Sequence, residues 1–249
     1  EDFKIPASRF DRITGFTFME DDDVLIISAL RKGQSDLFEY RMKRSRMNQL
    51  TDDTWDDVAP IFVSGGARKG IIFLSNRPEP FLNLKALPNE LPAGPMNAFF
   101  YNATTKSYDL LRLTRSTRGE VAQAIPYGSD HFAYLSDQNG VRNRYVVMFA
   151  RNTRNQDSAY SVTMTNFSRS ILYQQYNPAS GKIADVIQNR NSYDVFFHKI
   201  ELPAPDGDAP VRKPLPLIFV DGVINKTNQT TSTPVNLMDK TELDKKEDP

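Results

Sequence analysis

Short runs of apolar residues, each about six residues long, alternate with polar turns from Ile13 to Leu202. The first four runs are ITGFTF, VLIISAL, DLFEYRM and RMNQLT, and Gly, Asp, Ser or Asn lies between them. Runs of this length that are rich in β-branched and aromatic residues are typical of strands. The pattern predicts a four-stranded antiparallel sheet, and no segment has the periodicity of a long amphipathic helix.

The order of strands and turns recurs along the chain. Leu50-Thr51, near the end of the first unit, matches Leu113-Thr114 near the end of the second, and Ser75 matches Ser136. A third unit follows, and a fourth has three strands, ILYQQYN, KIADVIQN and YDVFFHKIEL. A recurring unit indicates a repeat architecture, in which each sheet buries its faces against its neighbours.

The pattern divides the chain into a lead-in at 1–12, a repeat region at 13–202 and a C-terminal tail at 203–249. Inside the second unit, the proline-rich stretch 78–95 predicts a loop, because proline lacks the N–H that a central strand needs. The tail is rich in proline and polar residues, a composition typical of disorder in isolation. We expect it to pack along a face of the repeats or against another chain, anchored by PLIFVDGV at 216–223.

The units contain L-T at Leu50-Thr51, D-x-x-P at Asp57 and Pro60, and a strand that ends S-x-R at Ser75 to Arg77. In these features the repeats resemble the WD40-like (PD40) repeats of TolB and of the propellers in the prolyl-oligopeptidase and dipeptidyl-peptidase families. The resemblance covers about Ile13 to Leu202. The sequence departs from the family pattern where the P-D-G turn is degraded and at the proline-rich loop.

The resemblance implies an all-β fold, a β-propeller with about four visible blades and an extended C-terminal tail. Four blades rarely close a ring, so we expect either that the chain is part of a larger propeller or that the missing blades lie outside this sequence. The chain begins at Glu1, which indicates a processed or excised piece of a longer protein or a recombinant start.

Composition narrows the classes of function. Lys+Arg and Asp+Glu both number 31, and a net charge of zero argues against a dedicated surface for nucleic acid or an anionic membrane. The chain has no cysteine, which excludes disulfides, thiolate nucleophiles and zinc–cysteine sites. No apolar run approaches the roughly 18 residues of a transmembrane segment.

Candidate catalytic chemistry is sparse. His131 and His198 are the only two histidines, and both fall in predicted strands, so we interpret them as ordinary strand residues. The G-x-S-x-G elbow of α/β-hydrolases does not occur. We therefore expect a chain that is not an enzyme and has no catalytic or cofactor-binding residues.

The best candidate surface is an acidic loop between the first and second units. In a propeller, this connection and the loop between the second and third strands lie on the face that borders the central channel. The possible partner-contact residues on this face are Arg31, Lys32, Asp52, Asp53, Trp55, Asp56 and Asp57.

Two features of this loop leave alternatives open. The four carboxylates of Asp52 to Asp57 could hold Ca²⁺. The favoured alternative is that they bond to nearby backbone and shape the turn. Trp55 could be a contact anchor or could fill a gap between sheets.

The first functional hypothesis is a non-catalytic protein–protein interaction scaffold in a bacterial envelope assembly, periplasmic or associated with the outer membrane. Its partners would be other envelope proteins, bound through the channel-side loops and the tail. The alternatives are an accessory propeller domain of a larger hydrolase and a glycan-binding or glycan-cleaving propeller.

Overall fold

The computed structural model describes residues 5, 7–20, 23–64, 68–83, 85–87, 92–128, 131–151, 157–189 and 191–200. The predicted tail, including PLIFVDGV, lies outside these residues. So do the predicted turn residues Gly65, Gly66, Ser129 and Asp130.

Within these described residues, fifteen strands follow a short 3-10 helix at Ala7–Arg9. They are β1 Arg12–Phe18, β2 Val24–Arg31, β3 Gln34–Arg41, β4 Arg46–Gln49, β5 Asp57–Val63, β6 Gly70–Ser75, β7 Asn97–Asn102, β8 Leu111–Arg112, β9 Val121–Tyr127, β10 His131–Ser136, β11 Asn143–Arg151, β12 Asp157–Thr163, β13 Ile171–Asn177, β14 Lys182–Asn189 and β15 Ser192–Lys199.

The strands form four antiparallel sheets, each built from consecutive segments of the chain. The first three sheets have four strands in the order of the sequence, and the fourth has the order β13-β14-β15. The predicted all-β architecture of repeated sheets is confirmed. In the described part of the chain, no helix is long and apolar enough to cross a membrane.

The predicted last strands of the first two units are shorter than expected. The first ends at Gln49, and the second, expected across YDLLRLT, contains only Leu111–Arg112. Leu50 and Leu113 lie beyond the paired residues of these strands. The Leu50 amide donates to the carbonyl oxygen of Leu37, and the Leu113 amide donates to that of Ala98. The L-T dipeptide therefore closes each sheet rather than extending its last strand.

Adjacent sheets pack face to face, with apolar side chains between them. Ile26 and Leu37 of the first sheet meet Ile71, Phe73 and Phe99 of the second. The second and third sheets share a larger cluster that contains Ile72, Phe100, Phe132, Tyr134 and Val147. Burial of these side chains is the main contribution to sheet stacking. The first strands β1, β5, β9 and β13 neighbour one another in succession, so they form the inner row of the stack.

A threonine clamp closes each of the first three sheets. The hydroxyl of Thr51 accepts a hydrogen bond from the Leu37 amide at 2.9 Å and donates one to Asp36 Oδ1 at 3.3 Å. The same pair of bonds joins Thr114 to the Ala98 amide and to Asn97 Oδ1, both at 2.9 Å.

In the third sheet, Thr165 bonds to the Arg144 amide at 2.8 Å and to Asn143 Oδ1 at 3.0 Å. All three threonines are buried. A buried amide without a partner is costly, so the hydroxyl fixes the point where the chain leaves each sheet.

Each inner strand contains a register irregularity: β1 near Gly15, β5 near Ala59, β9 near Gln123 and β13 near Leu172. A bulge bends its strand and redirects a side chain. Gln123 has φ of 46°, and its side chain bridges to the fourth sheet, where it bonds to the Leu172 carbonyl oxygen at 2.7 Å and the Gln174 amide at 2.9 Å. The bulge thus links the third sheet to the fourth.

Candidate functional site

Three loops meet at one end of the first two sheets and form a surface that we name the loop platform, residues 31–33, 50–56, 81–83 and 85–87. The turn after β2 is joined to the connection between the sheets by two hydrogen bonds. Gln34 Nε2 donates to the Trp55 carbonyl oxygen at 2.8 Å, and the Ser35 amide donates to Asp56 Oδ1 at 3.4 Å.

The proline-rich loop is held against the same connection. The Asp52 amide donates to Asn83 Oδ1 at 2.8 Å, and the Asn83 amide donates back to Asp53 Oδ2 at 3.1 Å. The Ala86 amide donates to Thr54 Oγ1 at 2.7 Å. These bonds add to an isolated antiparallel bridge between Phe81 and Asp109, so the loop is held from two sides.

Within the connection itself, the Trp55 amide donates to Asp53 Oδ1 at 2.9 Å, and the Asp56 amide donates to Asn76 Oδ1 at 2.9 Å. The amides of Asp52, Trp55, Asp56, Asn83 and Ala86 are therefore all bonded to side-chain oxygens. Asp and Asn side chains commonly shape turns in this way.

Beneath the platform, Arg77 forms a buried ion cluster. Its Nη2 atom lies 2.7 and 2.6 Å from the two carboxylate oxygens of Asp57 and 3.2 Å from Asp53 Oδ2. Its Nε atom donates to Ser75 Oγ at 3.1 Å, and Nη1 donates to the carbonyl oxygen of Phe81. All three charged side chains are buried, so the guanidinium joins the acidic connection to the proline-rich loop.

Burial raises the pKa of the carboxyls in this region. The pKa of Asp57 rises to about 6, although Arg77 opposes the change. The pKa of Asp53 also rises for the same reason. The pKa of Asp36 rises to about 7, first through burial and then through the negative charges of Asp57 and Asp53. Asp53 and Asp57 thus share one guanidinium, and their charges also act on the neighbouring carboxyl of Asp36.

The predicted contact residues divide by exposure. Arg31, Lys32 and Asp52 present their side chains to solvent. Lys32 has φ of 54° and, with Gly33 at 84°, forms the two-residue turn between β2 and β3, a geometry that a type I′ hairpin requires.

The other four predicted residues lie deeper. Trp55 is 2 % exposed, and the carboxylates of Asp53 and Asp57 are buried against Arg77. Asp56 is half-buried and accepts the Ser35 amide.

The acidic loop shows no arrangement for Ca²⁺. Among the residues that the structure describes, no group of three or more His, Asp or Glu side chains could hold a metal ion. Arg77 already stands between Asp53 and Asp57 and compensates part of their charge. Any cation in this loop would have to compete with that guanidinium.

The two histidines occupy strands, as predicted. His131 begins β10, and His198 lies near the end of β15. The His198 Nε2 atom lies 3.3 Å from Arg144 Nη1 and 3.8 Å from Asp185 Oδ2. Arg144 is ion-paired with Asp185 and donates to Gln174 Oε1 at 2.8 Å, so this network joins the third sheet to the fourth.

Sequence reasoning missed Arg77, Asn83 and Asp36 as members of the site. Arg77 ends an S-x-R pattern and Asp57 begins a D-x-x-P pattern, but nothing in the sequence indicates that the two side chains form an ion pair. Asn83 was hidden inside a loop identified only by its prolines. Asp36 lies in a strand and is one residue away from a fully buried leucine.

Known structures resemble this arrangement of stacked sheets. The crystal structure of TolB from Acinetobacter baumannii is similar with a TM-score of 0.53 and 15% sequence identity, over 76% of this chain and 41% of TolB. The chain has the fold of a β-propeller. Its open row of four sheets corresponds to part of a propeller ring, and it spans about two fifths of the TolB length.

The crystal structure of the tricorn protease was also matched, with a TM-score of 0.31 and 11% identity, over 78% of this chain and 23% of that protein. No protein-family model matches the sequence. No curated protein sequence matches it either.

Proposed function

We propose that the chain is a non-catalytic protein–protein interaction scaffold of a bacterial cell-envelope assembly, with WD40-like repeats of the TolB kind. The loop platform is its contact surface, and another envelope protein is its partner. The resemblance of the repeats and the propeller fold support the family, and the periplasmic or outer-membrane location rests on that resemblance.

The observation that carries the proposal is the order of the loop platform. Hydrogen bonds from five amides to side-chain oxygens, the bonds from Gln34 and Ser35, and the Arg77 cluster join its three loops to one another. A surface that is already ordered loses less conformational entropy when it binds, which favours its use in recognition.

The exposed charges of the platform supply selectivity. Arg31 and Lys32 lie at the tip of one loop, and Asp52 lies on the neighbouring connection. Exposed charges of both signs favour a partner with a complementary arrangement and affect the association rate more than the affinity.

Site-specific photo-crosslinking tests the proposal. A photoreactive amino acid replaces Asp52 on the platform or, as the matched control, Ser180 in the exposed turn between β13 and β14. The full chain is irradiated in cells of its source. We expect a discrete adduct with an envelope protein from position 52 and none from position 180.

The same adduct should be lost when Arg31 and Lys32 are both changed to Glu, because two negative charges then replace two positive charges and repel the complementary surface of the partner. Equal adducts from both positions, or an adduct with a hydrolase catalytic subunit, would overturn the scaffold role in favour of non-specific contact or of the accessory-domain alternative.

A further inference from the structure

Up to Ile200, where the described residues end, the fourth sheet has three strands where the other three sheets have four. Its last strand, β15, pairs with β14 along its whole length, from Ser192 with Asn189 to Lys199 with Lys182. Within the described residues, no strand pairs with the other side of β15. A regular eight-residue edge leaves a row of backbone donors and acceptors ready to pair with another strand.

The face of the fourth sheet that points away from the third is apolar and exposed. Tyr193, Val195 and Phe197 of β15 are 67%, 45% and 72% exposed. Tyr173 of β13 and Val195 both pair with Val186 of β14, so they lie on the same face. Contiguous exposed apolar side chains of this kind mark a surface that binds something.

The alternate residues of β15 belong to the opposite face. Phe196 packs with the cluster of Leu135, Ile171 and Ile187, and His198 lies beside Arg144 of the third sheet. The exposure of Phe197 and Tyr193 therefore follows from the two-residue period of a strand that has a neighbouring sheet on one face only.

The chain itself supplies a candidate occupant. It leaves the end of β15 at Ile200 and continues through a proline-rich stretch to the longest apolar run of its last part, Leu217 to Val220, within 216–223. That segment has the same length as β15 and a strand-like composition. Its first residue, Pro216, needs no ladder donor at an edge.

An equivalent connection already exists in the second sheet. The proline-rich stretch 76–96 leads from the end of β6 to β7, its antiparallel neighbour. The chain thus returns through a long proline-rich loop to the edge that it has just left. The stretch from Ile200 to Leu215 is shorter, and the entropic cost of closing a loop grows only slowly with length.

We propose that residues 216–223 pair with the open edge of β15 as the fourth strand of the fourth sheet. Main-chain hydrogen bonds to β15 supply most of the affinity in this mode of recognition.

Amide-resolved hydrogen exchange on the full chain tests this proposal. The amides of β15 that do not pair with β14 report directly on the open edge. We expect them to exchange at least about 10-fold more slowly than unprotected amides, and this protection to be lost in Phe219→Asp. Thr230→Asp, in the polar stretch beyond the segment, is the matched control and should leave the protection unchanged.

Amides in the middle of β2 and β10 show whether each variant remains folded. Edge amides of β15 that exchange at the unprotected rate in the unmodified chain would overturn the proposal. Protection that survives Phe219→Asp would do the same. Protection that rises with protein concentration would assign the edge to a second copy of the chain, which is also incompatible with the proposal.

Discussion

Asp36 occupies the position in the first sheet that Asn97 occupies in the second. Each side chain accepts a hydrogen bond from the threonine of its own clamp, Thr51 or Thr114. Asn97 also uses its amide nitrogen to donate to the carbonyl oxygens of Pro95 and Ser116. Asp36 instead accepts a second hydrogen bond, from Gln49 Nε2 at 3.0 Å, while burial and then the negative charges of Asp57 and Asp53 raise its pKa.

The first prediction concerns pH. Because folding raises the pKa of Asp36 to about 7, its contribution to stability is fully present below the unfolded pKa and is lost as the pH rises through about 7. Asp36→Asn should therefore raise the free energy of unfolding at about pH 8 by roughly 1–3 kcal/mol and have a smaller effect at about pH 5. Urea unfolding at the two pH values measures this difference.

The reciprocal variant provides the control. Asn97→Asp removes the N–H donors that bond to the carbonyl oxygens of Pro95 and Ser116 and adds a charge at a buried position, so it should lower stability at about pH 8 by about 2 kcal/mol or more. An Asp36→Asn variant that is less stable than the parent at about pH 8 would contradict this explanation of the clamp.

The second prediction concerns Arg77. Arg77→Met leaves the buried carboxylates of Asp53 and Asp57 without their cation, a change that typically costs about 3–5 kcal/mol. The loss should be greater at about pH 8 than at about pH 5, because Arg77 holds down the pKa of both groups and protonation relieves the unpaired charge. Arg31→Met, at an exposed position, should change stability by less than about 0.5 kcal/mol.

The third prediction compares the three threonine clamps. Thr51→Val, Thr114→Val and Thr165→Val each leave one buried amide without its acceptor and should each cost about 1–3 kcal/mol. The corresponding serine variants retain the hydroxyl and should lose less. Hydrogen exchange of the Leu37, Ala98 and Arg144 amides should accelerate only in the sheet that carries the valine. Uniform acceleration in all sheets would mean that the clamps do not act locally.

The fourth prediction concerns calcium. Because Arg77 pairs with both Asp53 and Asp57, millimolar Ca²⁺ or EDTA should leave the melting temperature unchanged. A ligand that binds the folded state raises its stability through mass action, so a calcium-dependent rise in the melting temperature would show a site that the ion cluster does not explain.

The sequence predicted the strands well and the site only in outline. Strand positions depend on local periodicity, and the boundaries missed were those at Leu50 and Leu113, where a side-chain clamp replaces the ladder. The acidic loop was placed beside Arg31 and Lys32, and the structure brings these loops together. Exposure was harder to foresee, because the burial of Asp53 depends on Arg77, which lies more than a strand away along the chain.

Hydrogen exchange of the loop-platform amides in the free protein tests most directly whether the platform is ordered before a partner binds. The amides of Asp52, Trp55 and Asp56 should exchange about 100-fold more slowly than that of the exposed Thr117, because side-chain oxygens accept them.

Asn83→Gly, at a residue with φ of 57° that glycine adopts without strain, removes the acceptor of the Asp52 amide. It should accelerate exchange at Asp52 and leave the Trp55 amide, which is bonded to Asp53, protected. This result would show that the platform is ordered before any partner binds. Exchange of all three amides at the rate of Thr117 in the unmodified protein would contradict it.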